Sequence, residues 1–129
     1  MKLEYLRETD PEDPRRSIVR LYDFKPSEVL KLIEVLRRLS KRRNPPVRLD
    51  QMSFIEPIGG CCLLLKCGDS DRGISDLGNN YLECELREES WETAAQRAEL
   101  LVAAEAGAFN WLYDVDAPTE FLLSLDGGW

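Results

Sequence analysis

Apolar and polar positions change their spacing several times along the chain, and each change predicts an element. Residues 2–8 alternate loosely, Leu3 and Tyr5 against Lys2 and Glu4, as a short edge strand does. Asp10-Pro11-Glu12-Asp13-Pro14 then interrupts regular structure, because each proline lacks an amide donor. Ser17 to Phe24 reads as a strand, with Val19 and Leu21 toward one face and Ile18, Tyr22 and Phe24 toward the other. From Pro26 the spacing turns helical. Val29, Leu32, Ile33, Leu36 and Leu39 form one apolar stripe, Glu28 sits at the positive helix start, and Arg37, Arg38, Lys41, Arg42 and Arg43 crowd its negative end. Asn44-Pro45-Pro46 stops it.

Val47 to Ile55 reads as a strand whose phase slips between Leu49 and Met52, the mark of a bulge. Pro57-Ile58-Gly59-Gly60 turns the chain into Cys61–Lys66, apolar on both faces and hence a central strand. A polar stretch from Gly68 to Asn80 reads as a loop. Tyr81 to Arg87 then alternates cleanly, Leu82, Cys84 and Leu86 inward and Glu83, Glu85 and Arg87 outward. Ser90 suits the N-cap of a second helix whose inner face is Trp91, Ala94, Ala95, Ala98, Leu101 and Val102, with Gly107 at its end. Ala108 to Tyr113 reads as a short further helical segment, and Glu120 to Leu125 as a last strand. The pattern predicts one α+β domain over residues 1–129: a mainly antiparallel sheet of about five to six strands, with two helices packed on one face.

Composition adds bounds on function. At 129 residues and 43% hydrophobic, the chain can bury a core without disulfide staples. The longest apolar run, Gly59 to Leu65, is far too short to span a membrane. The charged start Met1-Lys2-Leu3-Glu4-Tyr5 lacks the apolar stretch of a signal peptide, so the expected location is cytoplasmic and the four cysteines are expected as reduced thiols. The net charge of −7 is uneven: 12 Lys/Arg and 8 Asp/Glu through Asn44, against 5 and 16 from Pro45 onward. That balance argues against nucleic acid as a partner and allows steering of a basic protein or head-to-tail self-association, while an acidic surface is also an ordinary solubility device.

The chain contains no histidine, which removes Ser–His and Cys–His catalysis within it. Cys61, Cys62, Cys67 and Cys84 lack the paired spacing of a zinc knuckle, and neighbours on a strand point apart. They read as core residues, with Cys67, at a strand end, the most reactive candidate. Asp69 to Asp76 resembles a calcium loop superficially, but Ile74 and Asn80 stand where an EF-hand needs Gly and Glu. The Arg37–Arg43 cluster lacks interleaved aromatics for stacking nucleic-acid bases and coincides with a helix end that attracts cations. Glu83 and Glu85 share a strand face, which is ordinarily a solvent side. Phe109, Trp111, Tyr113, Phe121 and Trp129 concentrate aromatics among Asp114, Asp116, Glu120 and Asp126, the mixture that protein-binding surfaces use and that a secondary core uses as well.

The reading that follows is a non-enzymatic binding or regulatory protein, of the inhibitor or immunity type, with no cofactor and no metal. It would present acidic and aromatic surface, through Glu83, Glu85, Trp111, Asp114, Asp116 and Trp129, to a basic protein partner. The alternative is a small-ligand domain or enzyme using carboxylates, with Arg or Tyr as electrostatic partner, in a cleft between sheet and helices. A homodimer through an unpaired sheet edge is a third reading.

Overall fold

The computed structural model describes residues 1–7, 17–42, 44–113 and 119–125. The proline-rich break at 10–14, Arg43, Asp114, Asp116 and Trp129 lie outside them. The described elements run β1 (Lys2–Leu6), β2 (Ser17–Tyr22), α1 (Pro26–Leu39), β3 (Val47–Arg48), β4 (Glu56–Pro57), β5 (Cys62–Cys67), β6 (Gly73–Asp76), β7 (Tyr81–Leu86), α2 (Glu88–Glu99), β8 (Phe109–Trp111) and β9 (Thr119–Ser124), with 3-10 turns at Leu49–Gln51 and Ile58–Gly60.

The α+β class holds, and the strands divide into two mixed sheets rather than a single, mainly antiparallel one. One sheet has the order β4-β1-β2-β9-β8 and the other β3-β5-β7-β6. The weak first strand is interior rather than an edge, with β2 antiparallel on one side and β4 parallel on the other. The stretch that reads as a polar loop contains β6, which pairs antiparallel with the far side of β7. That placement sets β5 and β7 side by side in parallel, Leu63 opposite Leu82 and Leu65 opposite Cys84. The phase slip after Leu49 is a 3-10 turn, and the chain leaves the sheet there. Burial alternates in β7, so Leu82, Cys84 and Leu86 are fully enclosed.

Helix α1 buries Val29, Leu32, Ile33, Val35, Leu36 and Leu39 along one side. Its carboxyl end is closed by Ser40, whose hydroxyl donates to the Arg37 carbonyl at 2.6 Å, and by Asn44, whose amide donates to the Arg38 carbonyl at 2.8 Å. At its amino end Glu28 accepts from the Lys25 amide at 2.9 Å and pairs with the α-amino group of Met1.

Helix α2 begins at Glu88, three residues before the helix start that a Ser90 cap would give, with Arg87 at the N-cap. The reason is Asp71, which accepts the Arg87 amide at 2.9 Å and the Ser90 hydroxyl at 2.9 Å, so a carboxylate from the β5–β6 connection faces the positive helix end. The helix also ends sooner, at Glu99, and Gly107 takes its positive φ of 84° in the turn before β8 instead. Residues 109–111 are strand, not helix: the Leu112 amide donates to the Phe121 carbonyl and the Leu125 amide to that of Ala108, laying β8 antiparallel on β9. Aromatic side chains suit a pleated surface better than a helix interior.

The two helices pack on each other, α1 reaching β5 and α2 reaching β8. A contiguous core joins both, with Leu3, Val19, Leu21, Phe121 and Leu123 from one sheet and Leu63, Leu65, Leu82 and Leu86 from the other. Trp91 is fully buried between these layers, its indole N–H donating to the Lys66 carbonyl at 3.0 Å.

Candidate functional site

Glu83 and Glu85 lie on the outer face of the four-stranded sheet, in register with Leu64 and Lys66 on β5. Lys66 bridges them, in close contact with Glu83 and 3.3 Å from Glu85, and Arg72 approaches Glu85 at 3.4 Å. Hydrogen bonds to the two carboxylates hold the Lys66 ammonium above its ordinary range. The pair is therefore charge-compensated within its own sheet. Gly68 permits this arrangement, since a Cβ there would fall 2.5 Å from Glu85 Cδ. At the β3 side of the same face, Arg48 lies 5.2 Å from the Tyr81 ring centroid and makes a two-pronged pair with Asp50, at 3.0 and 2.8 Å.

The C-terminal aromatics divide into two groups. Tyr113 and Phe121 are core, packed edge to face with centroids 6.2 Å apart, and the Tyr113 hydroxyl donates to the Thr119 carbonyl at 2.6 Å. Burial pushes the Tyr113 phenol far above its ordinary range. Phe109 and Trp111 are placed differently. As alternate residues of β8, opposite Ser124 and Leu122, they project from the outer face of the five-stranded sheet at its terminal strand. Trp111 is half-buried and Phe109 is 47% exposed, the one exposed aromatic ring among the described residues. Beneath them Arg97 of α2 donates to the Trp111 carbonyl at 3.3 Å, and the Asn110 amide donates to the Arg97 carbonyl at 3.4 Å, which fixes β8 against the helix.

Beyond Arg97 the chain has no Lys or Arg and six carboxylates. Two of these lie among the described residues near β8: Glu105, in the turn whose carbonyl accepts the Ala108 amide at 3.1 Å, and Glu120, on the same outer face two residues along β9 from Leu122. Asp114, Asp116 and Trp129, expected to act with Trp111, lie outside the described residues. Of the six residues expected at a contact surface, Glu83 and Glu85 thus sit on one sheet and Trp111 on the other. Phe109 belongs beside Trp111, a position that the i, i+2 spacing shows only once residues 109–111 are known to be a strand.

The basic end of α1 is largely engaged in the fold. Arg37 pairs with Glu92 at 3.6 Å and with Glu99, and Arg42 with Asp69 at 2.6 Å and Glu88 at 3.7 Å. Ile33, Glu34, Arg37, Arg38, Lys41 and Asn44 line a shallow concavity of about 340 Å³ there, away from Glu83 and Glu85. Asp69, Asp71 and Asp76 do not converge on one point: they serve Arg42, the start of α2, and the Tyr5 hydroxyl at 3.0 Å, respectively. Burial pushes the Cys61 thiol up to about 11 and that of Cys84 well above its ordinary range. Burial also raises Cys67, against the pull of Arg42, so its strand-end position does not make it a ready thiolate. Among the described residues no three Cys, Asp or Glu side chains are placed to hold a metal ion, and no helix is long and apolar enough to cross a membrane.

Compared with protein-family models, with curated proteins and with solved structures, the chain matches none.

Proposed function

We propose that the chain is a non-enzymatic binding protein that docks a basic protein partner on the outer face of β8, with Phe109 and Trp111 as anchors. The observation that carries this reading is the exposed Phe109 ring beside Trp111 on a strand held by α2 and β9. A large ring kept in water on a rigid element is what interface anchors look like before binding. The stretch after Arg97 carries six carboxylates and no Lys or Arg, with Glu120 on the same sheet face as the rings and Glu105 in the turn before β8; Arg20 of β2 shares that face and pairs with Glu4. Asp114, Asp116 and Trp129 belong to the same stretch and are proposed as its further contacts. Glu83 and Glu85, compensated by Lys66 and Arg72, contribute to long-range steering rather than to a bare acidic patch.

The test is affinity capture from the native cell at low and moderate salt, followed by binding measurements on the purified captured protein. The expected result is a basic partner whose affinity falls with salt and drops about tenfold or more for Phe109→Ala, the size of an ordinary hot-spot loss. Capture of no basic protein at either salt, or equal affinity for Phe109→Ala, would sink the reading.

A further inference from the structure

Outside α1 and its flanks, every described lysine and arginine meets a carboxylate or, for Arg97, a backbone carbonyl. At the carboxyl end of α1, Arg37 and Arg42 meet carboxylates as well. Lys25, Lys31, Arg38 and Lys41 do not: all four side chains are exposed and make no ion pair. In a chain of net charge −7, the described cations left without a carboxylate are thus confined to one helix and its ends. Lys31, Glu34 and Arg38 recur at i, i+3 and i+7, on the side opposite the buried Val29, Leu32, Leu36 and Leu39. Lys41 follows just past the helix end and lines, with Glu34 and Arg38, the concavity of about 340 Å³. From Lys31 to Arg38 the row runs about 10 Å at the helical rise. Leu30, 53% exposed, lies on the same side of the helix.

We infer that this stripe docks an acidic segment of a protein partner, whose carboxylates meet Lys31, Arg38 and Lys41 where the fold supplies none. Glu34, between Lys31 and Arg38, interrupts the row of cations that a phosphate backbone would follow, and no aromatic ring lines the concavity to stack a base. A second copy of the chain is a poorer match. Glu34, Glu56 and Glu105, which make no ion pair, lie on α1, on β4 and in the turn before β8, so they form no row on the described surface. The stripe is separate from β8, and the inference does not depend on docking there.

The probes are an acetylated alanine peptide with Glu at i, i+3 and i+7, its Gln counterpart and a single-stranded oligoadenylate, each titrated into the full chain and followed by amide chemical shifts. The Glu peptide is expected to move the amides of Lys31, Glu34, Arg38 and Lys41, less so as salt rises, and the Gln peptide to leave them in place. An Arg38→Gln, Lys41→Gln double variant should weaken the Glu peptide about fivefold, the worth of two exposed ion pairs. A Lys2→Gln, Arg72→Gln variant removes equal charge elsewhere and should leave that affinity within about twofold, since net charge alone acts weakly through salt. Equal binding of the Glu and Gln peptides, equal losses in the two double variants, or tighter binding of the oligoadenylate than of the Glu peptide would each overturn the inference. So would self-association of the native chain that the Arg38→Gln, Lys41→Gln variant abolishes, because the occupant would then be a second copy. Phe109→Ala should leave the Glu peptide's affinity unchanged; a loss there would move the peptide to β8 and overturn the assignment to α1.

Discussion

Burial works against the charge of Asp50, yet two hydrogen bonds from Arg48 and one from the Leu63 amide at 2.9 Å hold its carboxyl below the ordinary value of 3.8. The carboxylate joins the 3-10 turn after β3 to the start of β5, and its side chain is only 8% exposed. Asp50→Ala should therefore cost about 1.5–3 kcal/mol in urea unfolding, the worth of hydrogen bonds to a charged group. A loss within a few tenths would mean that Arg48 and Leu63 find replacements in water. Gly68 makes a second test at this scale. A methyl group there overlaps the Glu85 carboxylate that Lys66 and Arg72 hold, so Gly68→Ala should destabilise by about 1 kcal/mol through overpacking. The same change should cost clearly less in a Glu85→Ala background, and equal costs in both would place the strain elsewhere.

Between elements, apolar packing and ion pairing compete to explain how α1 is held. Arg37 reaches across to Glu92 and Glu99, but all three side chains are more than 40% exposed, where entropy and screening cancel most of the Coulomb gain. Leu36, on the buried side of α1, is fully enclosed. Leu36→Ala should cost about 2–5 kcal/mol in urea unfolding. Arg37→Ala should move the urea midpoint far less, and a comparable shift would show the ion pairs to be coupled to the core. Helix α1 was legible from spacing alone because its stripe, its proline start and its basic end agree. Residues 109–111 were not. A three-residue strand has no period to read, and its conformation comes from hydrogen bonds to β9. The candidate site depends on that difference, because only a strand sets Phe109 and Trp111 on one face.

For the whole molecule, Glu28, Asp50 and Asp71 all have carboxyls lowered in the fold: burial opposes their charge, and hydrogen bonds and neighbouring cations outweigh it. The unfolded chain takes up protons first, so the stability these groups add is present above their ordinary values of 4.5 and 3.8 and is lost as the pH falls toward their folded values. The urea midpoint should be insensitive to these groups from about pH 7 to about pH 5 and drop below about pH 4.5. A Glu28→Gln, Asp50→Asn, Asp71→Asn triple variant should show a shallower fall, and an identical slope would remove these carboxylates as its cause. The sequence by itself determined the α+β class, the course of α1, the inner and outer faces of β7 and the acidic bias of the second half, since each is written in local spacing and composition. Tertiary structure alone decided the two-sheet division, the parallel neighbours β5 and β7, the compensation of Glu83 and Glu85 by Lys66 and Arg72, and the exposure of Phe109 while Phe121 is buried. Those features depend on which strand lies beside which, and strand order follows from how distant apolar faces close over a shared core, which no local pattern encodes.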